Sequence, residues 1–230
     1  MPQSIKAEDI DFSMLLASAA HDMKNSLGML LSTLDQMSAD LPDPNEKQAS
    51  YFSLLRGEAS RINNDLIYLL SLYRIQHKQL QAHVDEVFVQ DFFEEQRSRH
   101  DILLQSKNLT LNLTSTGDDV AYFDQELING VLNNAIVNAA KYTSTYIELW
   151  ADASLEQTII EVRDDGPGFP AAMINENSEY QKGVSFTSGS TNLGLYFCNH
   201  IAALHTRGAL VGKVELLNGS NGGIFRLILP

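Results

Sequence analysis

The chain has 230 residues, 44% hydrophobic and 20% charged, with a formal net charge of −13, a composition that suits a folded protein of two modest domains rather than a disordered tail. The acidic balance, without any local Lys/Arg cluster, excludes a nucleic-acid partner, because a phosphate backbone is repelled over most of such a surface. The single cysteine, Cys198, closes no internal disulfide and belongs to no zinc-type spacing; no apolar run of about 18 residues offers a direct membrane span, and residues 1–11 lack the apolar core of a secretory signal, so a cytoplasmic location is expected and the Asn-x-Ser/Thr triplets at Asn108, Asn112 and Asn218 are read as chance.

After a lead-in of residues 1–11, the apolar residues Leu16, Ala20, Met23, Leu27, Leu30, Leu34, Met37 and Leu41 recur at alternating spacings of four and three. That heptad seam predicts a long helix. The breakers Pro42-Asp43-Pro44-Asn45 end it, and the rhythm returns in Phe52, Leu55, Ala59, Ile62, Leu66, Leu69 and Tyr73, with Leu80 one heptad beyond. Two long helices joined by a short Pro-rich turn make an antiparallel hairpin. Alone it leaves apolar seam in water, and pairing of two chains into a four-helix bundle buries it. Residues 12–81 are therefore read as a homodimerisation module.

From residue 82 to 230 short strands alternate with helices. Helices are expected near 89–106, 124–141 and 193–205; strands are expected over 108–114, which alternates with period two, and over 146–150, 158–162, 213–217 and 223–229. A turn through Asn218-Gly219-Ser220-Asn221-Gly222 links the last two. The expected fold class is α+β: a helical hairpin followed by an α/β sandwich with a mixed sheet.

His21 lies beside the seam residues Ala20 and Met23, on the flank of the first helix that faces water. Asp22 follows directly, and Asn25 comes one turn later on the face of His21. Neutral imidazole is a nucleophile when a carboxylate takes the proton of its other nitrogen, which gives Asp22 the place of general base.

Three strings in the second domain point to a nucleotide. In Asn134-Ala-Ile-Val-Asn138-Ala-Ala-Lys141-Tyr142-Thr143 the residues Asn134, Asn138 and Lys141 share one helical face; an amide oxygen is a hard ligand suited to Mg²⁺, and the lysine brings charge for phosphates. Asp164-Asp165-Gly166-Pro167-Gly168-Phe169 follows a strand, so the first carboxylate can accept a hydrogen bond from an adenine amino group while the glycines allow close approach. Gly189-Ser190-Thr191-Asn192-Leu193-Gly194-Leu195 opens a helix whose backbone N–H groups suit phosphate oxygens. The common phosphate-loop and dinucleotide patterns are absent.

The run His21-Asp22-Met23-Lys24-Asn25-Ser26-Leu27 resembles the phosphoacceptor box of two-component sensor histidine kinases, and the three later strings resemble the N, G1 and G2 boxes of the ATP-binding (Bergerat-type, GHKL) fold that those kinases share with Hsp90 chaperones, MutL-type repair proteins and type II topoisomerases. The resemblance spans residues 12–230. It implies ATP and Mg²⁺ as cofactors, with Asn138 the Mg²⁺ ligand and Asn134 nearby, Lys141 and Tyr142 on the nucleotide, Asp164 on adenine, Gly166 and Gly168 shaping the pocket, Thr191, Asn192, Leu193 and Gly194 beside the phosphates, and Lys182 in a lid over residues 170–189. It further implies autophosphorylation of His21, transfer to the receiver domain of a response regulator, and a phosphatase activity in which Asn25 positions water. The input comes from a separate or upstream sensor. Two departures stand out: Ser26 replaces a common proline, and Ser190 and Asn192 replace glycines of the third box.

Two alternatives differ in class. A phosphotransfer hub with a degenerate, non-ATP-binding domain is separated by ATP calorimetry. An ATPase of the wider fold family, working by conformational cycling, is separated by stable labelling of His21.

Overall fold

The computed structural model describes residues 12–40, 45–176 and 193–230. Two compact units, Met1–Leu80 and Gln81–Pro230, make up the chain.

The first unit holds α1 (Phe12–Ala39) and α2 (Glu46–Gln76). In α1 the hydroxyl of Ser26 donates to the carbonyl of Asp22 at 3.0 Å, a bond to the preceding turn that proline at this position would disturb, and the helix runs on unbroken. Helix α2 starts earlier than the heptad pattern implies, because Asn45 caps it: Asn45 Oδ1 accepts from the Gln48 amide (2.9 Å), and Gln48 Oε1 accepts from the Asn45 amide (3.0 Å). It stops at His77, followed by Lys78 in the left-handed region (φ 55°). Asp35, late in α1, meets Arg56, early in α2, at 3.4 Å, as an antiparallel hairpin requires. Both partners are exposed, so the pair adds little stability. Ala59 and Tyr68 of α2 are buried, whereas the seam residues Met23, Leu30, Leu55 and Ile62 remain 40–56% exposed in the single chain.

The second unit contains β1 (Asp85–Phe88), α3 (Val89–Ser106), β2 (Thr110–Gly117), β3 (Val120–Phe123), α4 (Gln125–Tyr142), β4 (Tyr146–Ala153), β5 (Thr158–Asp164), α5 (Ala171–Glu176), α6 (Leu193–Leu204), β6 (Thr206–Arg207), β7 (Leu210–Val211), β8 (Lys213–Asn218) and β9 (Gly223–Leu229). Five strands form the main sheet in the order β2-β4-β5-β9-β8, with β2 parallel to β4 and the other pairs antiparallel. Strands β1 and β3 make a separate antiparallel ribbon. Asn108, expected in a strand, has φ 53° and sits in the turn after α3, where the Leu109 amide returns to the Leu104 carbonyl; the strand therefore begins at Thr110.

Alternation along the strands decides the layers. Ile147, Leu149, Ala151, Ile160, Val162, Leu227 and Leu229 are buried and form the core with Phe92 and Phe93 of α3, Ile128, Leu132 and Ile136 of α4 and Ile201 of α6, each large side chain contributing about 1.5–3 kcal/mol by leaving water. Several of the intervening residues carry charge. Glu161, 2% exposed, is held between Arg163 Nε (2.6 Å) and Arg226 Nε (2.5 Å); Arg163 continues to Glu148 (3.1 Å) and lies 4.5 Å over the Trp150 ring. A buried carboxylate with two guanidinium partners is compensated, and this ladder covers the face of the sheet away from the helices.

Helix α4 is anchored at its start by Asp124, whose Oδ1 accepts from the Leu127 amide (2.9 Å) and whose Oδ2 accepts from the His83 amide (2.8 Å). The Asp124 amide donates to buried His205 Nε2 at 3.0 Å, while His205 Nδ1 donates to the Ile201 carbonyl at 3.0 Å. Burial pushes the His205 pKa below its ordinary value and keeps the ring neutral.

Candidate functional site

Helix α4 has two polar faces with different uses. Asn129 and Asn133 turn toward α3, where they meet Gln96 and the Nε2 of His100. Asn134, Asn138 and Lys141 lie on a different face, with both asparagines half-buried and Lys141 exposed. At the start of α6, which Leu193 opens, Gly194 packs so closely on α4 that a Cβ there would fall 2.2 Å from Asn134 Nδ2. Only glycine fits without displacing that amide, and the contact joins the N-box asparagine to the third glycine string.

Asp164 closes β5, and its Oδ1 accepts from the amides of Gly166 (2.8 Å) and Gly223 (3.3 Å). Gly166 touches the end of α4: a Cβ there would sit 2.7 Å from the Tyr142 carbonyl oxygen. Gly168 has φ 77°, the left-handed region that glycine enters freely. Beyond it, Asn218 of β8 clamps Phe169 from both sides, accepting from its amide at 2.7 Å and donating to its carbonyl at 3.0 Å. Gly222 backs onto the Asp164 carbonyl oxygen, 2.0 Å from where its Cβ would lie. The end of β5, the C-terminal turn of α4 and the β8–β9 turn thus meet at one place.

Asp165, which sequence reasoning passed over, has a different set of partners from Asp164. Its carboxylate accepts from the Ser144 amide (2.8 Å), the Thr145 amide (3.1 Å to each oxygen) and the hydroxyls of Thr143 and Thr145. Burial alone would raise its pKa, but these hydrogen bonds hold the carboxyl well below the usual carboxylate range.

The remaining expected residues divide into two groups. His21 falls within α1, with Asp22 and Asn25 exposed on the same helix. Lys182, Thr191 and Asn192 lie outside the described residues, as does the 170–189 lid beyond α5. Among the described residues no group of three His, Cys, Asp or Glu side chains could hold a metal by itself. A divalent ion at this site would depend on phosphate oxygens, and the half-buried amide of Asn138 suits that ion as one hard protein ligand. Burial pushes the Cys198 thiol up, which removes it as a nucleophile. A cavity lined by Val84, Tyr122, Leu155, His205, Arg207 and Pro230 lies at the Thr158 end of β5, remote from Asp164, and contains none of the expected site residues.

Comparison with known proteins agrees with this geometry. Residues 123–230 match the family described as histidine kinase-, DNA gyrase B- and HSP90-like ATPase. Over these residues the chain is similar to the ATPase domain that this family shares. It is similar to the adaptive-response sensory kinase SasA of Crocosphaera subtropica, 29% identical over 228 residues that cover 94% of this chain and 58% of SasA. It therefore spans little more than half the length of that relative. In fold it is similar to full-length ShkA in complex with AMPPNP (TM-score 0.66, 18% identity, 95% of this chain and 46% of that one). It is also similar to the histidine kinase ThkA in complex with the response regulator protein TrrA (TM-score 0.57, 20% identity, 94% and 61%). The matched residues include α4, the end of β5 and the start of α6. Among the described residues, no helix is long and apolar enough to cross a membrane.

Proposed function

We propose that this protein is an ATP-dependent protein histidine kinase that phosphorylates His21 and passes the phosphoryl group to an aspartate of a response regulator receiver domain. The observation that carries the reading is the convergence of Asp164, Gly166 and Tyr142 at the end of β5, with Gly194 against Asn134. Asp164 accepts both backbone bonds on Oδ1, and Oδ2 is assigned to the exocyclic amino group of adenine. Lys141 and Tyr142 flank the nucleotide from the end of α4. Gly168, and beyond the described residues Lys182, Thr191 and Asn192, complete the surround. Mg²⁺, with Asn138 as its protein ligand, supplies neutralisation of phosphate charge when ATP is bound.

An imidazole nitrogen of His21 attacks the γ-phosphorus, the bond to the β–γ bridging oxygen breaks, and ADP leaves. Asp22 takes the proton from the other ring nitrogen. With Asn25 one turn on, the same helix has the groups to place water against a phosphorylated receiver, which adds a phosphatase activity. The uncovered seam of Met23, Leu30, Leu55 and Ile62 supports a homodimer through α1 and α2. ThkA crystallised with a response regulator supports a receiver partner, and input from a separate or upstream sensor completes the scheme.

Incubation with γ-labelled ATP and Mg²⁺ tests the proposal. A phosphorus–nitrogen bond is cleaved in acid and survives base, so the label is expected to vanish at low pH, persist at high pH, and be absent from His21→Gln while nucleotide still binds. Asp22→Asn is expected to slow labelling on the order of 10²-fold. Wild-type protein that binds Mg·ATP yet never acquires acid-labile label overturns it.

A further inference from the structure

We infer that Asp165 is a positioning residue of the nucleotide site: its carboxylate locks the loop after α4 onto the end of β5 and thereby holds Lys141 and Tyr142 in place for the nucleotide. The inference rests on the ATP-binding reading of that site.

The loop after α4 leaves the helix with backbone donors to satisfy. Helix α4 ends at Tyr142, and Thr143, its C-cap, already has extended backbone (φ −67°, ψ 151°). The backbone amides that follow, Ser144 and Thr145, leave the helix before β4 begins at Tyr146 and have no helical partner. Both donate to one carboxylate, Ser144 at 2.8 Å and Thr145 at 3.1 Å to each oxygen, and the hydroxyls of Thr143 and Thr145 add two further donors. Three consecutive residues therefore converge on Asp165, which a neutral side chain with fewer acceptor sites could not reproduce. The hydrogen bonds favour the charged carboxylate, in agreement with the low pKa of this group.

The lock acts on the binding surface because of chain geometry. Asp165 lies between Asp164, assigned to adenine, and Gly166, where an added Cβ would fall 2.7 Å from the Tyr142 carbonyl oxygen. Release of residues 143–145 frees the last turn of α4 from the end of β5, and that turn carries Lys141 and Tyr142. None of the donors of the lock bonds Asp164, which has its own bonds from the amides of Gly166 and Gly223. Loss of Asp165 should therefore weaken nucleotide binding without removing any group that touches nucleotide.

Equilibrium titration of the full chain with Mg·AMPPNP, read for both dissociation constant and stoichiometry, separates positioning from damage. For Asp165→Ala a dissociation constant raised about tenfold or more, with stoichiometry unchanged, is expected, the scale on which partners that orient a binding group act. Simple destabilisation would instead reduce the binding-competent fraction and leave the dissociation constant of the remainder unaltered. Asp165→Asn, which keeps shape and one acceptor oxygen, should recover part of the affinity, and Thr145→Val, which removes a single donor, should show a smaller loss; these two variants decide the matter if Asp165→Ala does not fold. Wild-type affinity, within twofold, in Asp165→Ala, or in both milder variants, overturns the positioning role and leaves the nucleotide reading intact. Failure of the wild type to bind Mg·AMPPNP overturns the nucleotide reading, and the positioning role with it.

Discussion

Replacing Gly166 by alanine tests the junction between the end of β5 and the end of α4 at a single atom. Gly166 does not occupy the left-handed region, so the substitution meets no intrinsic backbone strain, and its cost is steric. The added Cβ would lie 2.7 Å from the Tyr142 carbonyl oxygen, about 0.7 Å inside the 3.4 Å at which ordinary contact begins, and 2.9 Å from Asp164 Oδ1. Neither neighbour yields cheaply. The first is backbone tied into α4, and the second would have to give up its bond from the Gly166 amide. Overpacking of this kind costs about 1–3 kcal/mol, offset by about 0.4–1 kcal/mol because alanine stiffens the unfolded chain. A net loss of about 1–2 kcal/mol should lower the thermal midpoint of a domain of this size by roughly 2–8 °C. Because the displaced atoms belong to Asp164 and Tyr142, affinity for Mg·AMPPNP should also fall, on the order of tenfold, a change of about 1.4 kcal/mol. Calorimetric scans and nucleotide titration measure the two effects. Gly57→Ala provides the control: in α2 a Cβ at Gly57 meets nothing within 4 Å, so the same chemical change should stabilise, by about 0.5–1 kcal/mol. Gly166→Ala with wild-type midpoint and affinity would refute the close contact and the site geometry built on it.

Asp164→Asn should weaken adenine nucleotides by about tenfold or more in the same titration, since the amide nitrogen cannot accept the adenine amino proton; unchanged affinity would remove Asp164 from the site. Stability should depend on pH in two windows. His205 has a lowered pKa, so its neutral ring favours the folded state fully above about pH 6.5 and less as pH falls below that value; the thermal midpoint should decline toward pH 5, and His205→Gln should flatten that decline. Asp165, also lowered, contributes above about pH 4, and its contribution disappears only at more acid pH, so Asp165→Asn should leave the first window untouched. Leu27→Asp with Leu66→Asp should dissociate or unfold the helical unit by burying unpaired charge in the bundle, as sedimentation would record, and a wild type that is monomeric at micromolar concentration would refute the bundle.

Much of this protein is legible in its sequence because local periodicity dictates it. The heptad rhythm from Leu16 to Tyr73 marks α1 and α2, and the ends of α3, α4 and α6 lie within a residue of where apolar spacing places them. The candidate site is legible in part for the same reason: Asn134, Asn138 and Lys141 share a helical face, and Asp164 with Gly166 and Gly168 stands at a strand end. Short elements without a full period escape. The ribbon of β1 and β3 has four residues in each strand, too few to show alternation, and Asn108 reads as strand until its left-handed backbone is seen.

Tertiary structure alone decided the rest, because those relations hold between residues far apart in the chain. Strand order β2-β4-β5-β9-β8, with β2 parallel to β4, follows from which apolar faces find one another across long separations. The role of Asp165 cannot be read beside Asp164, since its donors lie twenty or more residues earlier, at Thr143, Ser144 and Thr145. Gly194 is a helix-opening glycine in the sequence, and only packing against α4 shows that Asn134 leaves room there for no Cβ. Sequence determined which residues are chemically able to bind a nucleotide, since residue type and helical spacing are local properties; close packing determined how they are held, because contact distances of 2–3 Å exist only once distant segments have met.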